Sequence, residues 1–334
     1  MEIQKAVEFP VEGKIGKRIN SNALQQILAF ASLIVLIVIF SIASSNFLQF
    51  DNIIGIFLST AVTGILALGA TMIIVTSGID LSCGTVLTLT SVMTGVFAVN
   101  LGLPVGVAVT GGILIGAAAG WISGSVIAKL KIPPFIATLA MMMIAKGLAL
   151  VISKATPIYF TSIPSFNKIA MGSIIPGFAI PNAVLIFFGM AIFASLILNK
   201  TIIGRYTFAL GSNEEATRLS GVNVDKWKII IYMIAGVFTG VAGIIMASRL
   251  NSAQPALGAG YELEAIAAVV IGGTSLSGGK GTILGTVIGA LIMSVLTNGL
   301  QILSVPQEWQ TVVVGAVILL AVYADVLRNK KAKN

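Results

Sequence analysis

The 334-residue sequence contains no histidine, so it lacks the commonest proton shuttle and metal ligand. A serine–histidine pair or a histidine-bound metal water is excluded, and no other residues assemble into a catalytic site. The single cysteine, Cys83, rules out an intramolecular disulfide. Charged residues are scarce, at 10% against 57% hydrophobic, and the mean hydropathy is +1.02. A chain this apolar is an all-α integral membrane protein, with lipid as its surroundings. The net charge of +8 does not speak for nucleic acid as a partner. Its basic residues are spread among loops and tails, the bias expected at the inner face of a membrane.

What is present is a series of apolar runs at 24–44, 52–75, 85–99, 105–130, 134–153, 182–198, 229–250, 262–273, 282–303 and 309–325. They predict about ten transmembrane helices in a domain over 24–325, between polar tails at 1–23 and 326–334. The first run exceeds the core of a signal peptide and reads as an uncleaved spanning helix. With the N-terminus inside, sixteen lysines and arginines fall on the inner side and three on the outer. That asymmetry predicts a multi-pass protein with both termini cytoplasmic, and a cytoplasmic loop at 199–228. The 154–181 stretch, with Pro157, Pro164, Pro176 and Pro181, becomes the one sizeable outer loop and a candidate landing surface for an external protein.

Two runs, 85–99 and 262–273, are short for a hydrocarbon core of about 30 Å. Both border glycine-rich breaks that match at four of seven positions: Gly78-Ile79-Asp80-Leu81-Ser82-Cys83-Gly84 and Gly273-Thr274-Ser275-Leu276-Ser277-Gly278-Gly279. Irregular backbone at membrane depth is tolerated where protein or water satisfies it, a pattern found along transport paths. Asp80, Ser82, Ser275 and Ser277 are therefore expected to cap broken helices or line a path; two similar tight turns would share the same residues. The second break is not an ATP site. Counting back from Gly279-Lys280, a phosphate loop needs glycine at Thr274 and a hydroxyl at Gly281. Asp80, Glu262 and Glu264 lie only at segment edges, which weighs against an ion-coupled carrier. Lys146, within the 134–153 run, is the one clear intramembrane charge. It either serves a path or an internal pair, or snorkels to the outer face.

The clearest helix-capped polar passage runs from Gly211 to Gly221. Ser212 and Glu215 have the spacing of a capping box, Glu214 and Glu215 suit the positive end of the dipole, and Gly221 suits a left-handed stop. About two turns, roughly 12 Å, fit between those caps. An amphipathic loop helix and a docking helix share these features.

Glu215-Ala216-Thr217, followed three residues later by Gly221, resembles the EAA-then-glycine motif of ABC importer permease subunits, with Thr217 where the second alanine stands. The whole run Gly211–Gly221 is similar to that of ribose-type sugar permeases. So are Thr76-Ser77-Gly78-Ile79-Asp80-Leu81-Ser82, Pro133-Pro134-Phe135-Ile136-Ala137-Thr138-Leu139 and the stretch from Glu262 to Gly273. The resemblance implies a ten-helix subunit of a bacterial plasma (inner) membrane, paired with an identical or related permease subunit around a central path. It implies a cytoplasmic ABC ATPase subunit that binds the ATP, no cofactor in this chain, and an external substrate-binding protein delivering a monosaccharide or small polyol. It also implies that Ser212, Asn213, Glu214, Glu215, Ala216, Arg218, Leu219 and Gly221 form the coupling helix that meets the ATPase. Permeases for branched-chain amino acids or nucleosides share that helix, and a secondary carrier would need no ATPase.

Overall fold

The computed structural model describes residues 21–174 and 179–333; positions 1–20 of the expected N-terminal tail, and Pro176, lie outside them. All ten apolar runs are helical. They are α1 (Ser21–Ala43), α2 (Phe50–Val75), α3 (Cys83–Gly95), α4 (Val105–Lys129), α5 (Pro134–Ile152), α7 (Asn182–Lys200), α10 (Val224–Leu250), α11 (Tyr261–Ile271), α12 (Ile283–Ile302) and α13 (Gln307–Lys333). Among the described residues, nine helices are long and apolar enough to cross a membrane. The tenth, α11, is not.

The two short runs have different explanations. A π-helical turn, Val96–Asn100, continues α3, and Cys83–Asn100 together make an 18-residue span. The expectation that 85–99 falls short is therefore corrected: the helix starts two residues earlier and its last turn is widened, not broken. By contrast α11 is short because it begins in the interior. Glu264 in its first turn accepts a hydrogen bond from Thr63, halfway along α2, at 3.3 Å. Just before it, Thr88 of α3 donates to the Leu257 carbonyl, and Gly84 and Gly258 touch backbone to backbone. Residues 251–260 thus descend into the bundle before α11 starts.

Small residues bring the central helices together. Gly112, Gly116, Gly120 and Gly124 repeat every fourth position on α4 and so share one face. A side chain at Gly116 would overlap the Gly236 carbonyl of α10, and one at Gly120 the Tyr232 carbonyl. Such close backbone contact replaces the hydrophobic drive that helices lack in lipid. In this pair α10 is largely buried, as are the neighbouring α2 and α3, whereas α1, α5 and α13 present long exposed apolar faces.

Contacts between helix ends define two faces of the bundle. On one, Gln26 of α1 donates to Thr282 ahead of α12, and Asp325 of α13 accepts from the Leu276 amide. On the other, 154–174 is ordered. Its strand β1 (Ile158–Tyr159) pairs antiparallel with β2 (Ser252–Ala253), and its helix α6 (Pro164–Met171) packs on the end of α10. Ser248 of α10 secures α6, donating to the Phe166 carbonyl at 2.7 Å and accepting from the Ala170 amide at 2.9 Å.

Candidate functional site

The 199–228 segment is almost wholly helical. The end of α7 leads into α8 (Ile202–Ser212), α9 (Glu214–Leu219) and the first turn of α10. Ser212 belongs to the last turn of α8, so it cannot hold the non-helical backbone of an N-cap, and the expected capping box does not form. Asn213, the one extended residue between the helices, is the cap instead: its side-chain oxygen accepts from the Ala216 amide at 2.9 Å. The helix is accordingly six residues long, about 9 Å. Its far end matches the expectation. Gly221 has φ +84°, its amide donates to the Arg218 carbonyl, and the Val222 amide donates to that of Thr217.

Charge fixes α9 on the bundle. Glu214 accepts from Lys228 at 2.6 Å and from Arg218 at 3.3 Å, and Asp225 pairs with Lys131, beside α5, at 2.6 Å. These pairs are mostly exposed, worth at most about 1 kcal/mol each, so they orient the helix more than they stabilise it. Thr217 points inward and its hydroxyl bonds the Asn213 carbonyl. Glu215, Ala216, Arg218 and Leu219 point outward, and Leu219 is 82% exposed. A leucine this exposed at the tip of a charged helix is a knob without a socket among the described residues.

The end of α8 lies directly against both glycine-rich breaks. The Gly279 amide donates to the Val75 carbonyl at 2.9 Å, and the Ser77 hydroxyl donates to the Ser277 carbonyl at 2.9 Å. Gly211 sits at this meeting point, where any side chain would overlap the Val75 oxygen. Ser212 therefore lies against Gly279, at the end of the loop that carries Ser275 and Ser277. Ser275 and Leu276 face Asp325 of α13, which accepts from the Leu276 amide at 3.2 Å.

Asp80 and Ser82 belong to the first break, between α2 and α3. Asp80 accepts from the Ser82 amide at 2.8 Å and the Ser82 hydroxyl at 2.6 Å. Loss of water pushes its carboxyl up from the ordinary value, and the two bonds from Ser82 oppose the rise. With its hydroxyl on Asp80, Ser82 does not cap α3 through its side chain, and the cap of α12 is Thr282, not Ser275 or Ser277. Thr138 of α5 holds this break, accepting from the Leu81 amide and donating to the Ile79 carbonyl, each at 3.2 Å.

A helical membrane bundle with an external knob tied to two interior breaks has the parts of a driven conduit. Residues 52–322 match the family described as branched-chain amino acid transport system / permease component. The chain belongs to that family. This permease component is 44% identical to the ribose import permease protein RbsC of Escherichia coli (strain K12), over 95% of its own length and 98% of the relative's. It is 43% identical to RbsC of Bacillus subtilis (strain 168), over 95% and 97%, and 37% identical to the D-allose transport system permease protein AlsC of E. coli K12, over 90% and 91%. No solved structure matches.

Of the residues expected to matter in the permease, Lys146 alone stands apart, exposed on α5 away from the junction. Sequence reasoning missed Val75, Gly211, Thr138 and Asp325 as partners of the breaks. For Gly211 a signal existed: a glycine within the last turn of a helix invites the question of what approaches it. Glu262 was seen only as a segment-edge acid; it is buried, and its Oε1 accepts from the Gly260 amide at 3.0 Å.

Proposed function

We propose that this permease is the transmembrane subunit of an ABC importer for a monosaccharide, with ribose the first candidate. The supporting observation is end-to-end identity with ribose import permeases, joined at lower identity by a D-allose permease. In this reading the face bearing α9 is cytoplasmic and both termini lie there, in keeping with the sixteen-to-three distribution of basic residues. The ATPase subunit holds the ATP and receives Leu219 and its exposed neighbours. A sugar-loaded binding protein docks on the opposite face, around β1 and α6. A second permease subunit, identical or related, completes the path.

The junction at Gly211 gives this reading a mechanism. Movement of the ATPase shifts α9, and α8 carries the shift to Val75 and Gly279 through backbone contact, with no flexible side chain between. The breaks at 78–84 and 273–279 then part, and Asp80, Ser82, Ser275 and Ser277 meet the solute. A polyol hydroxyl both donates and accepts, so carboxylate and serine groups suit it without selecting one sugar; selectivity falls to the binding protein.

The test is uptake by membrane vesicles carrying the permease with its ATPase and binding protein, against a panel of pentoses, hexoses, nucleosides and branched-chain amino acids. ATP-dependent accumulation of a pentose or hexose is expected. Accumulation of amino acids or nucleosides alone, or uptake that follows an ion gradient and ignores ATP, would overturn it.

A further inference from the structure

Between β2 and α11 the chain runs as irregular backbone into the middle of the bundle. Gly258 touches Gly84 of α3, and Thr88, one turn further along that helix, donates to the Leu257 carbonyl. Glu264, in the first turn of α11, accepts from Thr63. Thr63 stands thirteen residues from the start of α2 and twelve from its end, about 20 Å and 18 Å. Glu264 is thus at mid-membrane, and residues 254–260 lie on the way down to it.

Two observations set this turn apart. The amides of Ala256 and Ala259 have no hydrogen-bond partner among the described residues, and both alanines are exposed. Close by on α11, Leu263 is exposed and the Glu264 carboxylate half-buried. The second observation concerns Glu262, which is buried with 8% exposure. Its Oε1 accepts from the Gly260 amide, whereas its Oε2, beside Gly84, has no partner among the described residues. A buried acceptor left open calls for a polar group next to it.

Open backbone at membrane depth persists only where protein buries it or where it lines a water-filled cavity, and an intramembrane carboxylate follows the same rule. Here the described residues leave Ala256 and Ala259 uncovered. The turn offers amide donors next to carboxylate acceptors. A cation would be served by acceptors alone, whereas a sugar hydroxyl both donates and accepts and so uses the mixed set.

We propose that residues 256–260 and the first turn of α11 form a monosaccharide contact at mid-membrane, within the path. Glu264 accepts hydrogen bonds from sugar hydroxyls, and the amides of Ala256 and Ala259 donate to sugar oxygens. Glu262 acts through Gly260 as a positioning residue that holds the turn in shape. The inference rests on the reading of the chain as a monosaccharide permease and adds to it a place where the solute is held.

The experiment uses the assembled transporter in membrane vesicles. Single cysteines are introduced as A256C and A259C in the turn, with I39C on α1 and L319C on α13 as controls at exposed positions of apolar helix faces. The native Cys83 is buried and sets the background. A small charged thiol reagent is applied from both sides. The thiols of A256C and A259C are expected to react at least tenfold faster than those of I39C and L319C. In parallel, E264L is expected to lower sugar uptake at least fivefold with ATPase co-purification unchanged, and E264Q, which keeps an oxygen acceptor, to retain at least twice the uptake of E264L. T63V removes the bond to Glu264 and leaves the carboxylate in place, so it is expected to keep at least half of wild-type uptake. Reaction of both turn cysteines no faster than the controls, as burial by a partner subunit would give, overturns the proposal. So does an equal loss in T63V and E264L, which would make Glu264 a structural brace, and so does wild-type uptake by E264L. If the unmodified transporter accumulates no monosaccharide, the functional reading fails and the sugar contact with it. If it does and the turn cysteines are inert, only the inference fails.

Discussion

The amide of Gly279 donates to the carbonyl of Val75 across 2.9 Å, joining the second break to the end of α2, just ahead of the first. Gly211 fills the space behind that bond, with no room for a side chain. Replacing Gly211 by alanine forces the contact apart. Overpacking of this kind costs about 1–3 kcal/mol. Expected are a lower melting temperature for the purified complex and at least a tenfold loss of uptake, with the ATPase still co-purifying because α9 keeps its exposed face. Unaltered uptake in G211A would remove the junction from the mechanism.

The cap on α9 distinguishes two neighbouring residues. Asn213→Ala removes the acceptor for the Ala216 amide, a loss of about 1 kcal/mol. Hydrogen exchange over 214–219 should then quicken about fivefold, since 1 kcal/mol corresponds to roughly that factor. Ser212→Ala should change it much less. Equal effects would restore Ser212 to the role the sequence suggested.

Leu219 offers a test of docking that leaves the membrane domain alone. L219D places a charge on the exposed tip, and G221V strains a left-handed backbone at φ +84°. Both variants should insert in normal amounts. L219D should lose the ATPase on purification, and G221V should keep less than a fifth of wild-type uptake. Full transport by both would make α9 an ordinary surface helix.

Topology follows from charge and can be read with reporters. Fusions after Leu130, near Ser212 and at Lys333 should report cytoplasm, and one near Ser173 should report the exterior. An external signal at Ser212 would reverse the bundle and with it the assignment of partners.

The helices were legible because an apolar run of about twenty residues in so hydrophobic a chain leaves few alternatives. Their ends were less so. Ser212 and Asn213 are both good caps, and only the helix preceding them decides which is free to act. The widened turn that completes α3 leaves no mark in hydropathy, so 85–99 looked shorter than it is. The 154–181 stretch reads as a loop because of its four prolines, yet Pro164 begins a helix in it that Ser248, distant in sequence, secures. Least legible were the contacts at Val75, Gly211 and Gly279, where the information is an absence of side chain and the partner is another segment's backbone.

One feature of the fold bears on how the protein is made. Since α10 ends on the β2 face and α12 begins on the α9 face, the chain must cross the bilayer between them. It does so through an irregular descent and the eleven residues of α11, about 16 Å of helix with Glu262 and Glu264 in its first turn. Such a segment is too short, and with two glutamates too polar at its start, to leave the insertion machinery for lipid by itself. Its places are prepared by Thr63 and Gly84 on helices synthesised earlier, and by Gly285 and Gly289 on the helix synthesised next. The ribosome must therefore deliver α12 before α11 can settle, and the crossing at 251–282 is completed only after the chain on either side of it is in the membrane.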